Sequence, residues 1–298
     1  MATRIAIGIM VFNEDKNLDG LLARLAEMEA PGCVIEALVI VSSGSTDQSD
    51  AIAQRWVESD PRFQLISEPV RRGKAQAINV FLQRVAGVDL CVLVSGDVLP
   101  EHSALASLLA PFKDPSVGMT GARPLPTNPR SGLVNRLVHF QWALHHRVST
   151  LRPKLGEMVA FRPVLAALDP DTAVDEASLE AELTQRGYVL VYAQEARVHN
   201  RGPSTLSEFL SQRQRIWTGH YRLRKRVGYE VATYRLAGIC GPVWHQLSHQ
   251  PRDLPIAIGA AVLEGLARCL GTLDHDLRGQ DAVYWRPLPS TKQPLTAP

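Results

Sequence analysis

Over roughly the first 125 residues the apolar positions alternate between two rhythms. Ile5–Phe12 is a β-branched apolar run and predicts a strand; Leu18, Leu21, Leu22, Leu25 and Met28 then recur at helical spacing. Ala37–Val41, Phe63–Ser67 and Asp89–Ser95 read as three further strands, the last apolar nearly throughout. Between them, Ser45-Thr46-Asp47-Gln48 has the form of a capping box opening a helix that carries Ile52 and Trp56, and Gly73–Val85 reads as another helix. Continuous apolar strands separated by helices suit a parallel sheet covered on both faces. The expected architecture is α/β, an open, mostly parallel Rossmann-like sheet with flanking helices.

Beyond that the rhythm is less regular. Three prolines within Arg123–Arg130 argue against regular structure there. Leu133–Val148, Asp175–Arg186 and Leu206–Val227 read as helices, and Glu157–Arg162 and Tyr188–Ala193 as strands. Two apolar segments follow, 231–246 and 254–270, and then a proline-rich, loose end.

Composition changes this picture little. Lys plus Arg number 32 and Asp plus Glu 30, a formal charge of +2 that calls for no nucleic-acid partner. The four cysteines form no C-x-x-C pair, so neither a zinc site nor a disulfide framework is expected, and a reducing, cytoplasmic setting fits. Acidic residues follow the first apolar run too soon for a secretory signal, and no segment reaches the roughly 18 uncharged apolar residues of a spanning helix.

The chemistry is sought where the strands end, because ligands of an open α/β sheet sit beyond the carboxyl edge. After the first strand come Phe12-Asn13-Glu14; after the second, Ser42-Ser43-Gly44-Ser45-Thr46-Asp47; after the third, Arg71-Arg72-Gly73-Lys74 at a helix start; after the fourth, Ser95-Gly96-Asp97. A helix N-terminus with a lysine beside it is a diphosphate site. An aspartate on the next strand end can hold a divalent cation, Mg²⁺ or Mn²⁺, bridging those phosphates. Together these make a nucleotide-diphosphate site.

Over residues 4 to 221 the chain resembles family 2 of the GT-A glycosyltransferases. Asn13-Glu14 matches the first nucleotide-binding loop, Gly44-Ser45-Thr46-Asp47 the D-D-G-S-T-D stretch, and Gly73-Lys74-Ala75-x-Ala77-x-Asn79 the G-K-x-x-A-x-N helix. Ser95-Gly96-Asp97 stands at the D-x-D metal motif, Asp175-Glu176 at the acidic pair that holds the base, and Gln212–Trp217 at the acceptor-side Q-x-x-R-W. The resemblance implies a GT-A fold, with a catalytic domain over 1–228 (nucleotide half about 1–125, acceptor half about 126–228), a C-terminal helical region over 229–286 and a tail over 287–298.

It further implies inverting, metal-dependent transfer from a nucleotide-sugar, a UDP-sugar being the expected donor, to an acceptor hydroxyl. Phe12, Asn13, Glu14, Ser42, Ser43, Asp47, Gly73, Lys74, Asn79, Ser95 and Gly96 would serve the donor, and Gly156, Gln212, Arg215 and Trp217 the acceptor. Asp97, with His199 as an extra ligand, would hold the metal, and Glu176 or Asp175 would be the base. Trp217 and Tyr221 could stack on a sugar. The chain departs from the pattern at Ser42, Ser43 and Ser95, which replace acids, and at Ile216, which precedes Trp217. Two alternatives are a non-catalytic nucleotide-sugar-binding relative and a nucleotidyltransferase of similar shape. A lipid-linked, glycan or small-molecule acceptor is compatible with the pattern. The basic stretch Arg213, Arg215, Arg222, Arg224, Lys225 and Arg226 beside apolar segments that are too short to span is also compatible with a peripheral place on an anionic membrane.

Overall fold

The computed structural model describes residues 2–278 and 288–295. Parts of the expected helical region and tail, 279–287 and 296–298, lie outside them. The nucleotide half runs β1 (Thr3–Val11), α1 (Leu18–Glu27), β2 (Cys33–Ser43), α2 (Ser49–Ser59), β3 (Phe63–Glu68), α3 (Lys74–Arg84) and β4 (Leu90–Ser95). Then follow β5 (Val98–Pro100), α4 (Ala104–Leu109), β6 (Val117–Pro126), α5 (Leu133–Leu151), β7 (Met158–Phe161), α6 (Asp175–Gln185) and β8 (Val189–Asn200). The C-terminal helices are α7 (Leu206–Val227), α8 (Ala237–His249) and α9 (Leu254–Arg278).

All eight strands share one sheet in the order β3-β2-β1-β4-β7-β6-β8-β5. β3, β2, β1 and β4 are parallel, as their unbroken apolar runs require. β7 is antiparallel to β4 and β6, and β6 is parallel to β8. β5 pairs with β8 at the far end of the order, although only Gly96 and Asp97 separate it from β4. Two residues span well under 15 Å, so the sheet must curl until its far edge returns towards its middle. That curl puts Asp97 where both halves meet. One core fills the face under α1, α2 and α4, with Ile5, Leu21 and Val92 fully buried, and a second fills the opposite face around Phe81, Phe161 and Leu179.

Four expectations need correction. Arg123–Pro126 is strand after all. Pro124 and Pro126 lie two apart, beyond the stretch of β6 paired to β7, so both missing N–H groups point away from β8 to an unpaired side, where a strand tolerates proline. The capping box is not formed: α2 opens at Ser49, whose N–H goes to Asp47 Oδ1 at 3.0 Å, while Ser45 Oγ turns back to accept the Asn13 N–H at 3.2 Å.

The third concerns the apolar segments. With its preceding turn, the last helix runs Pro251–Asp276, 26 residues with a hydropathy of 1.6, long and apolar enough to cross a membrane by length and composition alone. Here it packs along α7. Glu264 takes Arg213 of α7 and Arg268 of its own helix, each at 2.8 Å, and these guanidiniums hold its buried carboxyl down at about 2 against the cost of burial. Lastly, the end of the chain is not loose throughout: residues 288–295 dock onto the start of α1 and of α7.

Candidate active site

A cleft of about 400 Å³ opens over the carboxyl edge of the parallel strands. On the nucleotide side it is lined by Phe12 and Glu14 after β1, Ser43 at the end of β2, Gly73 and Lys74 opening α3, and Ser95-Gly96-Asp97 after β4. Backbone constraints shape this wall. A Cβ on Gly96 would stand 2.8 Å from Glu14 Cγ, so only glycine lets Glu14 lie against the Asp97 turn. Gly44 has φ +69°, and a Cβ there would meet the Arg71 amide at 2.5 Å; glycine therefore brings the loop before α3 onto the end of β2. Arg71 crosses that gap and lays its guanidinium 4.1 Å above the Phe12 ring.

Three residues expected to meet the donor instead tie the loops together. Asn13, at φ 53°, accepts the Thr46 N–H at 2.8 Å, Asp47 accepts the Asp15 N–H at 3.1 Å, and Ser42 Oγ donates to Ser45 Oγ at 2.8 Å. Asn79 is buried beneath the cleft, where its amide exchanges hydrogen bonds of 2.9 and 2.7 Å with the backbone of Leu168 and so clamps the loop leading to α6.

The acceptor side is lined by Gly156 and Glu157 before β7, Asp175 and Glu176 opening α6, and Gln212, Arg215 and Ile216 on α7. Trp217 is not among the lining residues. Each residue of a helix turns about 100°, so the position after Arg215 belongs to Ile216 and Trp217 is carried round onto α9. There its Nε1 donates to Thr272 Oγ1 at 2.9 Å and its ring stacks on Tyr234 at 4.9 Å. Tyr221 lies on the same interface, donating to Asp276 at 3.0 Å. His199 also points elsewhere: Nε2 lies 3.3 Å from Glu101, while the next residues, Asn200 and Arg201, line the cleft.

The electrostatic centre is Lys74. Its Nζ lies 2.6 Å from Glu176 Oε1 and 3.0 Å from Asp175 Oδ2. Burial opposes the ammonium, but the two carboxylates outweigh it and hold the lysine charged. Burial likewise opposes Glu176, but its contact with Lys74 holds the carboxyl below its ordinary range. Asp175, more buried and beside Glu176, is pushed up to about 6. Two further glutamates rise to about 8, chiefly by burial and then by the charge of Asp97: Glu14 and Glu157. The cleft thus crowds carboxylates round Asp97.

That crowding fits a hard divalent cation. Among the described residues no group of three or more His, Cys, Asp or Glu forms a ready cage. Yet Asp97 lines the cleft, and the buried Glu14 beside it has one oxygen, Oε2, with no partner. One or two carboxylates, completed by water and substrate phosphates, are what Mg²⁺ or Mn²⁺ sites of this kind use.

Sequence reasoning missed Arg201, Lys154 and Glu180 as cleft residues. Arg201 was within reach of the strand-end rule, since it follows β8. Lys154, held down to about 8 by burial, lies in a stretch without periodic pattern or motif, and Glu180, raised to about 7 by burial, sits on the helix expected over Asp175–Arg186 but outside its acidic-pair motif.

The profile of the family described as Glycosyl transferase family 2 matches residues 6–168, over half of the chain. Among solved structures, a mannosyltransferase from Pyrobaculum calidifontis in complex with GDP-Man and Mn²⁺ is similar over 94% of this chain and 89% of its own, with a TM-score of 0.68 and 19% identity. Glucosyl-3-phosphoglycerate synthase from Mycobacterium tuberculosis, with Mn²⁺, UDP and glucosyl-3-phosphoglycerate, is similar over 76% of this chain and 80% of its own, with a TM-score of 0.52 and 14% identity. At these identities the likeness is one of fold. No curated protein matches the chain.

Lys74→Met should leave Asp175 and Glu176 as partly buried like charges without their cation. The variant should melt below the wild type at pH 8, and the gap should narrow towards pH 5, as the carboxyls of the variant take up protons. Thermal unfolding across that range checks it; a gap independent of pH would mean that the ammonium does not hold the pair.

Proposed function

As a member of glycosyl transferase family 2 the chain is a glycosyltransferase, and we propose that its cleft moves a sugar from a nucleotide diphosphate, a UDP-sugar first among the donors to test, onto an acceptor hydroxyl with inversion. The observation that carries this reading is the meeting of Lys74 with Asp175 and Glu176 across a cleft whose other wall holds Asp97. Lys74 and the first N–H groups of α3 offer the diphosphate a cation and a helix N-terminus. A divalent ion held at Asp97, with the free oxygen of Glu14 beside it, would supply neutralising charge for the departing diphosphate.

The acid pair takes the proton of the acceptor hydroxyl. As that oxygen bonds to the anomeric carbon, the bond from this carbon to the diphosphate oxygen breaks on the opposite face, which inverts the centre. Asp175 has the basicity suited to neutral pH, whereas Glu176 is the more open to the cleft. Lys74 answers to both charges: it restrains the pair before reaction and can shift towards the diphosphate as negative charge builds there.

The membrane part of the reading rests on α8 and α9. The basic stretch of α7 is already spent within the protein: Arg213 on Glu264, Arg224 on Glu230 at 2.7 Å, Lys225 on Asp276 at 2.6 Å and Arg226 on Asp169. The exposed face of α9, by contrast, carries Leu254, Ile258, Val262, Leu266 and Leu273 without an exposed charge among them, and Trp244 of α8 is 75% exposed. Between Arg235 and Leu273 the exposed residues among Arg, Lys, His, Asp and Glu are Arg235, His245, His249 and Arg252, all basic, while each acid there is partly buried. We infer that this face lies on an anionic bilayer, apolar side chains inward and basic rim towards the headgroups.

Four outcomes are expected. Asp97→Ala should abolish Mn²⁺-dependent binding of nucleoside diphosphate in calorimetric titration while the fold survives; unchanged metal-dependent affinity would remove the metal role. Asp175→Asn or Glu176→Gln should keep donor binding and lower turnover by about 10²–10⁴, the range for loss of a general base. In the wild type, turnover should fall as pH drops through about 6, since the base must be ionised; full rates in both variants would place the base elsewhere. Finally, the protein should sediment with phosphatidylglycerol vesicles at low salt, and Val262→Glu with Leu266→Glu should release it. Wild-type protein left in the supernatant would overturn the bilayer contact.

A further inference from the structure

The docked end of the chain contributes to the cleft itself. Leu288, Thr291 and Lys292 line it, from a sequence distance of nearly 280 residues to the loop they face. Lys292 Nζ donates to the Phe12 carbonyl at 2.7 Å and pairs with Glu14 Oε1. Two anchors hold it there. Asn17, at the start of α1, turns its whole side-chain amide to the segment, accepting the Leu295 N–H at 2.8 Å and donating to the Gln293 carbonyl at 3.4 Å. Ser290 is fixed to Glu208 in the first turn of α7 and accepts the Ser204 N–H at 3.0 Å. The segment therefore straps the first helix of the nucleotide half to the first turn of α7.

Glu14 and Asn17 are only 5% and 7% exposed, and buried polar groups require partners. The strap supplies them, and in doing so leaves Glu14 Oε2 buried and unpartnered in the cleft wall next to the Asp97 turn. The cleft keeps its 400 Å³ with the strap in place, within the range that small-molecule ligands occupy. The strap is thus a wall of the cleft and does not fill it.

We propose that residues 288–295 complete the donor site and that Lys292 sets donor affinity, by fixing the Glu14 side chain and by bringing a positive charge to a wall otherwise lined by Glu14 and Asp97. This rests on the nucleotide-sugar reading given above. An ammonium held between the Phe12 carbonyl and Glu14 brings positive charge to the wall that a diphosphate donor approaches, and it leaves Glu14 Oε2 without a partner.

The test uses the full chain in three forms: wild type, Lys292→Met and Lys292→Arg. UDP and GDP are titrated with Mn²⁺ by calorimetry, donor KM and kcat are measured for the corresponding nucleotide-sugars, and unfolding is followed without ligand. Lys292→Met should weaken nucleoside diphosphate binding by about tenfold or more and raise donor KM with kcat nearly unchanged, and Lys292→Arg should recover most of the loss. Unliganded unfolding should fall by a few degrees for Lys292→Met, which leaves the buried Glu14 unpaired, and stay near wild type for Lys292→Arg, while the loss of affinity persists well below the variant's unfolding temperature, which separates a donor-site role from a purely structural one. Equal affinity in wild type and Lys292→Met would overturn the proposal, and tighter binding by Lys292→Met would overturn it in favour of a strap that obstructs the site. A wild type that binds neither UDP nor GDP would instead overturn the nucleotide-sugar reading, and this proposal with it.

Discussion

At the centre of the cleft an ammonium group joins its two walls. Lys74 opens the helix that follows the third parallel strand, and its partners open a helix about a hundred residues further on. An ion pair removed from water is costly unless both partners are well placed. Its presence here is therefore a geometric requirement on the surrounding backbone. α3 must start where the Arg71 loop crosses Gly44, and α6 must be delivered by the loop that Asn79 clamps at Leu168. At that point one ammonium faces two carboxyl groups.

Much of the fold was legible because its signals are local. An apolar run of five to eight residues declares a buried parallel strand, and the residues at its end are by construction at the functional edge. That logic places Phe12, Glu14, Ser43, Lys74 and Asp97 around one cleft. It fails where the outcome depends on the neighbour. Pro124 and Pro126 read as strand breakers until one knows that β7 stops short of them. His199 is engaged by Glu101, which its own position in the chain cannot announce.

Trp217 is instructive in another way. A family motif is a set of directions round a helix as well as a set of residue types, and one inserted residue changes the direction. The tryptophan is retained but serves the joint with α9, where Arg268 lies 4.4 Å over its ring. Ile216 lines the cleft instead and presents an aliphatic surface there. The docked segment 288–295 was equally invisible, since its partners Glu14, Asn17 and Glu208 lie far away in sequence and proline-rich composition says nothing of them.

Among the described residues, two that are not glycine adopt positive φ: Asn13 at 53° and Glu157 at 63°. Asparagine tolerates the left-handed region well, and Asn13 spends its side chain on the Thr46 turn. Glutamate has no such local compensation, and a conformation of this kind costs about 1 kcal/mol or more. Glu157 nevertheless lines the cleft, beside the permissive Gly156. Selection for heat tolerance alone would thus be drawn to glycine at position 157, relieving the backbone and emptying the cleft of a carboxylate in one step. In this enzyme that gain in stability and the make-up of the cleft wall are tied to one residue.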